Sequence, residues 1–146
     1  GGGTYSFVSF DFPGATRTQP MEINDAGEAV GFYQNGGCHG FMRTADGTIT
    51  TLDYPGAPST YLTGISNNGD IVGWFGPDVC HDQNVRHPFL FSHGAFTALP
   101  EMPGATIHVM DVNDSGQIVG YNFSVNTGYF FKNGVFTTIA PPRATR

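Results

Sequence analysis

The sequence carries little charge, and most of that charge is acidic. Only 12% of its 146 residues are charged, Lys occurs once, and the formal net charge is −6. A nucleic-acid-binding surface needs a basic stripe, whereas the six Lys and Arg residues here are scattered. An anionic membrane surface is disfavoured for the same reason. No apolar run approaches the roughly 18 residues of a membrane-spanning helix. We therefore expect no nucleic-acid partner and no membrane insertion.

Residues that favour helices are also scarce, and Leu occurs only four times. Gly occurs 21 times, Pro occurs 10 times, and 14% of the residues are aromatic. Thr, Val, Ile, Phe and Tyr suit a pleated surface, while Gly, Pro, Asn and Asp supply turns. The composition predicts a single all-β domain over residues 1–146, with enough residues for one modest core.

Recognised catalytic motifs are missing as well. The sequence contains no Gly-x-Ser-x-Gly elbow, no phosphate-binding loop and no His-Glu-x-x-His. Glu22, Asp25 and Asp70 lie in or beside predicted turns, and we interpret them as structural. We therefore assign no catalytic residue and no cofactor, and we do not expect an enzyme.

What the sequence does contain is one pattern that occurs three times. Each copy has Pro-Gly-Ala, a short run of apolar and polar residues, a turn of the form [Ile/Val]-x-[Asn/Asp]-x-Gly, and then Val-Gly-aromatic. A period of about forty residues is typical of a small β-unit that cannot bury its own apolar face and stacks on its copies. The repeats span approximately 13–54, 55–102 and 103–141, and an extra strand at 5–12 precedes them.

Each repeat is predicted to form four short strands. In the first repeat, Gly27 supplies the positive φ of the first turn. Gly31 is expected to lie where a neighbouring sheet approaches closely, because a side chain there would hold the sheets apart. The Asn- and Asp-rich turns lack the ligand spacing of calcium loops and are predicted to be hairpin turns. The predicted strands run from after Ala15 to about Ile23, from Glu28 to Tyr33, from His39 to Thr44 and from Thr48 to Tyr54.

Three repeats of four strands are compatible with two architectures. The first is a set of propeller-type blades, and the alternative is a β-trefoil. Propellers typically have about four to eight blades, so three blades cannot close a ring. Such a chain would pair head to tail with a second copy or stack into an open filament. The extra strand at 5–12 would then be available to complete a neighbour's sheet.

The block from Ile23 to Ala57 resembles the HAF-type extracellular repeat, which is named after a His-small-Phe tripeptide. The resemblance covers nearly the whole chain and implies a secreted or surface β-propeller-like array without a defined reaction. The first two tripeptide histidines are expected to hydrogen-bond an adjacent turn. The tripeptides are His39-Gly40-Phe41 and His87-Pro88-Phe89, with Gly128-Tyr129-Phe130 at the third position.

Two Cys-His pairs occupy matching positions in the first two repeats. Cys38-His39 and Cys80-His81 lie seven and eight residues after the Val-Gly glycine of their repeat. A disulfide between Cys38 and Cys80 suits a secreted chain and is the preferred interpretation. Free or intermolecular thiols and a zinc site of Cys38, His39, Cys80 and His81 are the alternatives. The disulfide needs Cα atoms within about 7 Å, which the longer loop after Cys80 helps to satisfy.

The second repeat carries an inserted polar loop from Asp78 to His87. Binding residues concentrate on loops of a rigid β-scaffold, and this loop is predicted to lie beside the Pro-Gly-Ala turns. It is interpreted either as a carbohydrate site with an aromatic platform or as a variable surface loop. Trp74 also suits the core, because Phe32 and Tyr121 occupy its matched positions. The candidate ligand-binding residues are Trp74, Asp78, His81, Asp82, Asn84, Arg86, His87 and Tyr33.

Three functions follow in order of preference. The first is a secreted, non-catalytic β-repeat protein that acts by self-assembly or surface binding. Its partner would be a second copy of itself, and its location would be extracellular or the cell surface. The second is a carbohydrate-binding, lectin-like module with glycans as ligands. The third is a hydrolase or lyase built on a propeller.

Overall fold

The computed structural model describes residues 10–82, 85–101, 108–122 and 127–139. Within these ranges, no residue belongs to a helix of the length and apolar character that a membrane crossing requires. In this described part of the chain, the regular structure consists of twelve β-strands. They are β1 (Arg17–Ile23), β2 (Ala29–Gln34), β3 (Cys38–Arg43), β4 (Ile49–Thr51), β5 (Ser59–Ile65), β6 (Ile71–Gly76), β7 (His87–Ser92), β8 (Ala95–Ala98), β9 (His108–Val112), β10 (Ile118–Asn122), β11 (Thr127–Lys132) and β12 (Val135–Ile139).

Each repeat forms its own antiparallel sheet of four strands, which lie side by side in chain order. We call these sheets blade 1 (β1–β4), blade 2 (β5–β8) and blade 3 (β9–β12). Strand β5 packs on blade 1, and strand β9 packs on blade 2. Four-stranded meanders stacked in this way are propeller-type blades, so the predicted all-β, three-repeat architecture is confirmed. The β-trefoil alternative is wrong, because the four strands of each repeat form one hydrogen-bonded sheet of their own.

The strand boundaries agree closely with the prediction except in the fourth strand of blade 1. Strand β4 covers only Ile49–Thr51. The chain then leaves the sheet and crosses towards blade 2, where Tyr54 stacks on Phe75 with ring centroids 3.7 Å apart. Residues 5–9 of the predicted extra strand lie outside the described residues, and residues 10–12 are not in a strand.

The predicted hairpin turns form through the side chain of the first turn residue. In blade 1, Asn24 Oδ1 accepts hydrogen bonds from the backbone N–H groups of Ala26 and Glu28, at 3.1 and 2.9 Å. Gly27 follows with a φ of 80°, which a residue with a side chain rarely adopts. Asn113 repeats this arrangement in blade 3. The turn chemistry is therefore the same at both ends of the array.

The expected close approach at Gly31 is present, but the neighbour is not another sheet. A Cβ on Gly31 would lie 2.1 Å from the carbonyl oxygen of Gln19 in β1 of the same blade. The cause is a β-bulge in β1 between Pro20 and Glu22, which displaces the inner strand towards the glycine. Gly40 makes the contact between blades instead, because a Cβ there would lie 2.9 Å from Leu62 Cγ of blade 2.

The core lies between the blades. Successive side chains along a strand point to opposite faces of the sheet. One set therefore packs towards the preceding blade and the other towards the following blade, which is the period-2 pattern of a sheet buried on two faces. Full burial of one aliphatic side chain stabilises the fold by about 1.5–3 kcal/mol. One cluster, between blades 1 and 2, contains Val30, Leu62, Ile65, Ile71 and Phe89. The other, which spans blades 2 and 3 and reaches into blade 1, contains Phe32, Cys38, Val72, Trp74, Val79, Leu99, Val109, Val112 and Ile118.

Candidate functional site

The predicted binding loop lies between β6 and β7, at the end of the sheets opposite the hairpin turns. Asp78 and His81 are exposed there, and His81 Nδ1 lies 2.8 Å from Asp78 Oδ1. Both residues line a cleft of about 470 Å³ between blades 1 and 2. The other lining residues are Thr16, Gln34, Gly36, Gly37, Pro58, Ser59 and Pro77.

The aromatic residues predicted for this site lie elsewhere. Trp74 and Tyr33 are each 6% exposed and belong to the buried core. The hydroxyl group of Tyr33 lies 2.8 Å from Thr51 Oγ1 on β4. Neither ring forms a platform for a ligand, and the core interpretation of Trp74 is confirmed.

Among the other predicted residues that the structure describes, Asp82, Arg86 and His87 do not line this cleft. Asp82 is exposed, and Asn84 lies outside the described residues. His87 lines a separate cleft of about 250 Å³, together with Pro55 and Pro77. The loop therefore does lie beside the second Pro-Gly-Ala turn, as the repeat predicted.

Arg86 anchors the loop to the core. Its guanidinium lies 4.7 Å from the centre of the Trp74 ring, and its Nε donates a 2.7 Å hydrogen bond to the carbonyl of Val79. Tyr61 stacks on the same ring at 4.8 Å. Burial lowers the pKa of Arg86 and raises the pKa of the Tyr61 hydroxyl. These contacts assign Arg86 a structural role in the loop.

Cys38 and Cys80 form a disulfide, which confirms the preferred interpretation. Their Cα atoms are 6.2 Å apart. Cys38 begins β3 of blade 1, and Cys80 lies in the inserted loop of blade 2, next to the fully buried Val79. The bond consumes both thiols, so the free-thiol and zinc alternatives are wrong. Within the described ranges, no three His, Cys, Asp or Glu side chains are grouped to hold a metal ion.

The two tripeptide histidines pair with carboxylates rather than with a turn. His39 Nδ1 lies 2.9 Å from Asp53 Oδ2, and Asp53 Oδ1 accepts a 3.0 Å hydrogen bond from the backbone of Gly40. His87 pairs in the same way with Glu101. Each histidine therefore fastens the third strand of its blade to the segment that leaves the fourth strand. Gly128 holds this position in blade 3.

The two ends of the array expose apolar residues at positions that are buried inside it. Ile23 on β1 is 63% exposed, whereas the matched Ile65 and Val112 are each 4% exposed. Beside Ile23 lies a largely apolar cleft of about 340 Å³ that Met21 also lines. We call this side of blade 1 the back face. It is the side that blades 2 and 3 turn towards the preceding blade.

The opposite end is the front face of blade 3. Phe130 is 38% exposed and pairs with Val119 across β10 and β11. The matched pairs of blades 1 and 2 face the following blade, where Met42 and Leu90 pack against the interblade clusters. Val135 and Ile139 on β12 are also exposed. The front face of blade 3 is thus equivalent to two faces that are covered within the chain.

A row of hydrogen bonds joins the three hairpin turns across the blades. The backbone N–H of Asp25 donates to Asn67 Oδ1, and the backbone N–H of Asn67 donates to Asp114 Oδ1, both at 2.7 Å. Asn67 Nδ2 also donates to one carboxylate oxygen of each aspartate, both at 3.0 Å. We call this row the turn ladder. Sequence reasoning missed it, although the alternation of Asp, Asn and Asp at one turn position was visible.

Two further carboxylates lie on the innermost strands. Glu22 on β1 and Asp111 on β9 occupy matched positions, and Gly64 lies between them in the repeat order. A Cβ on Gly64 would lie 2.6 Å from Asp111 Oδ1. Burial and the charge of Asp111 raise the pKa of Glu22. The absence of a side chain at Gly64 on β5 lets β5 and β9 approach each other.

Comparison with known proteins identifies the fold but not a family. No protein family and no curated protein matches the chain. The selenomethionine form of virginiamycin B lyase from Staphylococcus aureus is similar, with a TM-score of 0.55 and 18% identity over 85% of this chain and 42% of that chain. A catalytically inactive variant of that lyase with Quinupristin gives 0.59 and 18%, over 91% and 44%. The chain spans less than half the length of these structures, and the likeness supports a propeller-like arrangement of blades.

Proposed function

We propose that this chain is a non-catalytic blade array that acts by head-to-tail association with a second copy of itself. In this assembly, the back face of blade 1 in one copy covers the front face of blade 3 in the other. The observation that carries the proposal is the exposure of Ile23, because its matched residues Ile65 and Val112 are buried against a preceding blade. Full burial of such a side chain is worth about 1.5–3 kcal/mol.

The segment before blade 1 also supports this arrangement. Phe12 stacks on Tyr33 with ring centroids 3.8 Å apart, as Tyr54 stacks on Phe75 in blade 2. The backbone N–H of Phe12 bonds to Thr18 as that of Tyr54 bonds to Thr60. Blade 1 therefore receives the end of a preceding segment as blade 2 does, and its back face has the form of an internal interface.

The contact is heterologous, because two different surfaces meet. Such contacts form a ring when the rotation closes and a filament when it does not. We place the assembly outside the cell, since the disulfide between blades 1 and 2 suits an oxidising compartment.

Sedimentation velocity over a range of concentrations tests the proposal. The wild-type chain should associate, and Ile23→Asp should remain monomeric because it buries a charge in the junction. Ala95→Asp adds the same charge on exposed β8 of the middle blade and should associate like the wild type. At high NaCl concentration, a wild-type chain that stays monomeric at high protein concentration, or an Ile23→Asp chain that associates normally, would overturn the proposal.

Ligand binding at the 470 Å³ cleft is a second candidate function, favoured by the exposed Asp78 and His81. Their polar groups suit a hydroxyl-rich ligand such as a carbohydrate. It ranks second because no aromatic side chain lines this cleft among the described residues. Glycan-array binding that Asp78→Ala removes would support it, and an array without signal would count against it.

We do not propose that this chain has the lyase activity of the similar structures. An identity of 18% supports the fold alone, and the chain covers 42–44% of those structures. Function resides in a particular site rather than in a fold.

A further inference from the structure

The turn ladder follows one rule at both interblade junctions of the chain. The backbone N–H of each ladder residue donates to Oδ1 of the ladder residue in the following blade. The second terminal atoms of the two side chains then face each other at 3.0 Å. At both junctions one of these atoms is the Nδ2 of Asn67 and the other is a carboxylate oxygen. The ladder therefore depends on an acid lying next to an amide.

We propose that the turn ladder controls head-to-tail association by placing two carboxylates against each other at the junction between copies. The inference rests on the proposed function. If a second copy continues the stacking, its Asp25 becomes the ladder residue that follows Asp114. The backbone N–H of Asp114 then donates to Asp25 of the second copy, as the rule requires. The second terminal atoms, however, are both carboxylate oxygens, and no amide lies between them.

The side-chain amides around this position already have hydrogen-bond partners. In blade 1, Asn24 Nδ2 binds Glu28 Oε1 and the carbonyl of Ser66. In blade 3, Asn113 Nδ2 binds Gln117 Oε1. These contacts leave no side-chain amide free to lie between the two carboxylates. The cations at this end of blades 1 and 3 are Arg43 and Lys132, which end β3 and β11, and the Arg43 guanidinium lies 4.9 Å from the centre of the Phe10 ring. The junction between copies is therefore less favourable than the two internal ones, although its apolar faces match.

Three repeats make this outcome unavoidable for alternating ladder residues. With an odd number of blades, an Asp-Asn-Asp order always ends on the residue type with which it begins. A second copy can therefore never continue the alternation. Repulsion between the two ladder carboxylates weakens self-association. Salt, which screens the carboxylates, and a substitution that removes one of them should each strengthen it.

The test compares dissociation constants from sedimentation at low and high NaCl concentration. Asp25→Asn and Asp114→Asn each place an amide opposite a carboxylate at the junction between copies, so each should lower the low-salt Kd about tenfold, the effect of one charge-assisted hydrogen bond. Each also sets an amide against Asn67 Nδ2 inside the chain, so each should slightly lower the stability of the monomer in thermal unfolding. The double variant should gain little more than either single one, because two amides then face each other. Asp78→Asn removes the same charge at the opposite end of the sheets and should leave Kd unchanged.

The salt dependence of association is an independent test of the ladder inference. Raising NaCl should strengthen association of the wild type and have a much smaller effect on Asp25→Asn. Circular dichroism of each variant confirms that the fold is kept. If Asp25→Asn and Asp114→Asn leave Kd unchanged while Ile23→Asp prevents association, the ladder inference is overturned and the proposed function stands. If no variant associates at any salt concentration, both are overturned.

Discussion

Breaking the Cys38–Cys80 disulfide should strongly destabilise this fold. The bond ties blade 1 to blade 2 across a sequence separation of 42 residues. In the chain-entropy description, opening a loop of that length favours the unfolded state by about 4 kcal/mol at 25 °C. For a chain of this size, each kcal/mol corresponds to about 2–4 °C in Tm. Reduction should therefore lower the Tm by about 8–16 °C.

Thermal unfolding followed by circular dichroism, with and without reductant, measures this effect. Alkylation and mass spectrometry verify that reduction is complete. The double variant Cys38→Ala, Cys80→Ala is the control, and its Tm should resemble that of the reduced protein and be insensitive to reductant. A wild-type Tm that falls by less than about 2 °C on full reduction would refute the entropic reasoning. The two blades would then hold each other without the bond.

Further predictions concern the inner strands. Gly73→Ala should destabilise the fold by about 2–3 kcal/mol in denaturant unfolding, because its Cβ would lie 2.1 Å from the backbone oxygen of Tyr61. Gly37→Ala is its control and should be nearly neutral, since its nearest neighbour is 4.0 Å away; equal effects would contradict the bulge explanation. Glu22 has a raised pKa, so its favourable contribution is present below the unfolded value of 4.5 and is lost as pH rises through the folded value. Glu22→Gln should therefore gain about 0.3 kcal/mol at pH 7 and none at pH 3, and a loss at pH 7 would contradict the explanation by burial and by the charge of Asp111.

The sequence was sufficient to predict the blades because their signals are local. Apolar alternation marks the strands, and turns such as Asn24 to Gly27 use side-chain hydrogen bonds and a positive φ that short motifs encode. The close contact at Gly31 was predicted, but its partner was not. Which strand approaches depends on the bulge at Pro20, and a bulge is set by pairing with the neighbouring strand.

The candidate sites were less predictable because they depend on contacts between blades. The sequence favoured a Cys38–Cys80 disulfide over its alternatives but did not establish it. Whether Cys80 comes close enough to Cys38 depends on how the inserted loop folds back over Val79. Trp74 and Tyr33 suit either a binding platform or a core by residue type, and only packing decides between them. The turn ladder joins residues that are 42 and 47 positions apart, so turn chemistry alone does not reveal it.

Mixing two singly blocked variants tests head-to-tail association most directly. Ile23→Asp blocks the back face of blade 1, and Phe130→Asp blocks the front face of blade 3, so each variant alone should sediment as a monomer. An equimolar mixture retains one intact junction and should form a discrete 1:1 dimer, at high salt where the ladder carboxylates are screened. A mixture that remains monomeric, while the wild type associates under the same conditions, would contradict the account.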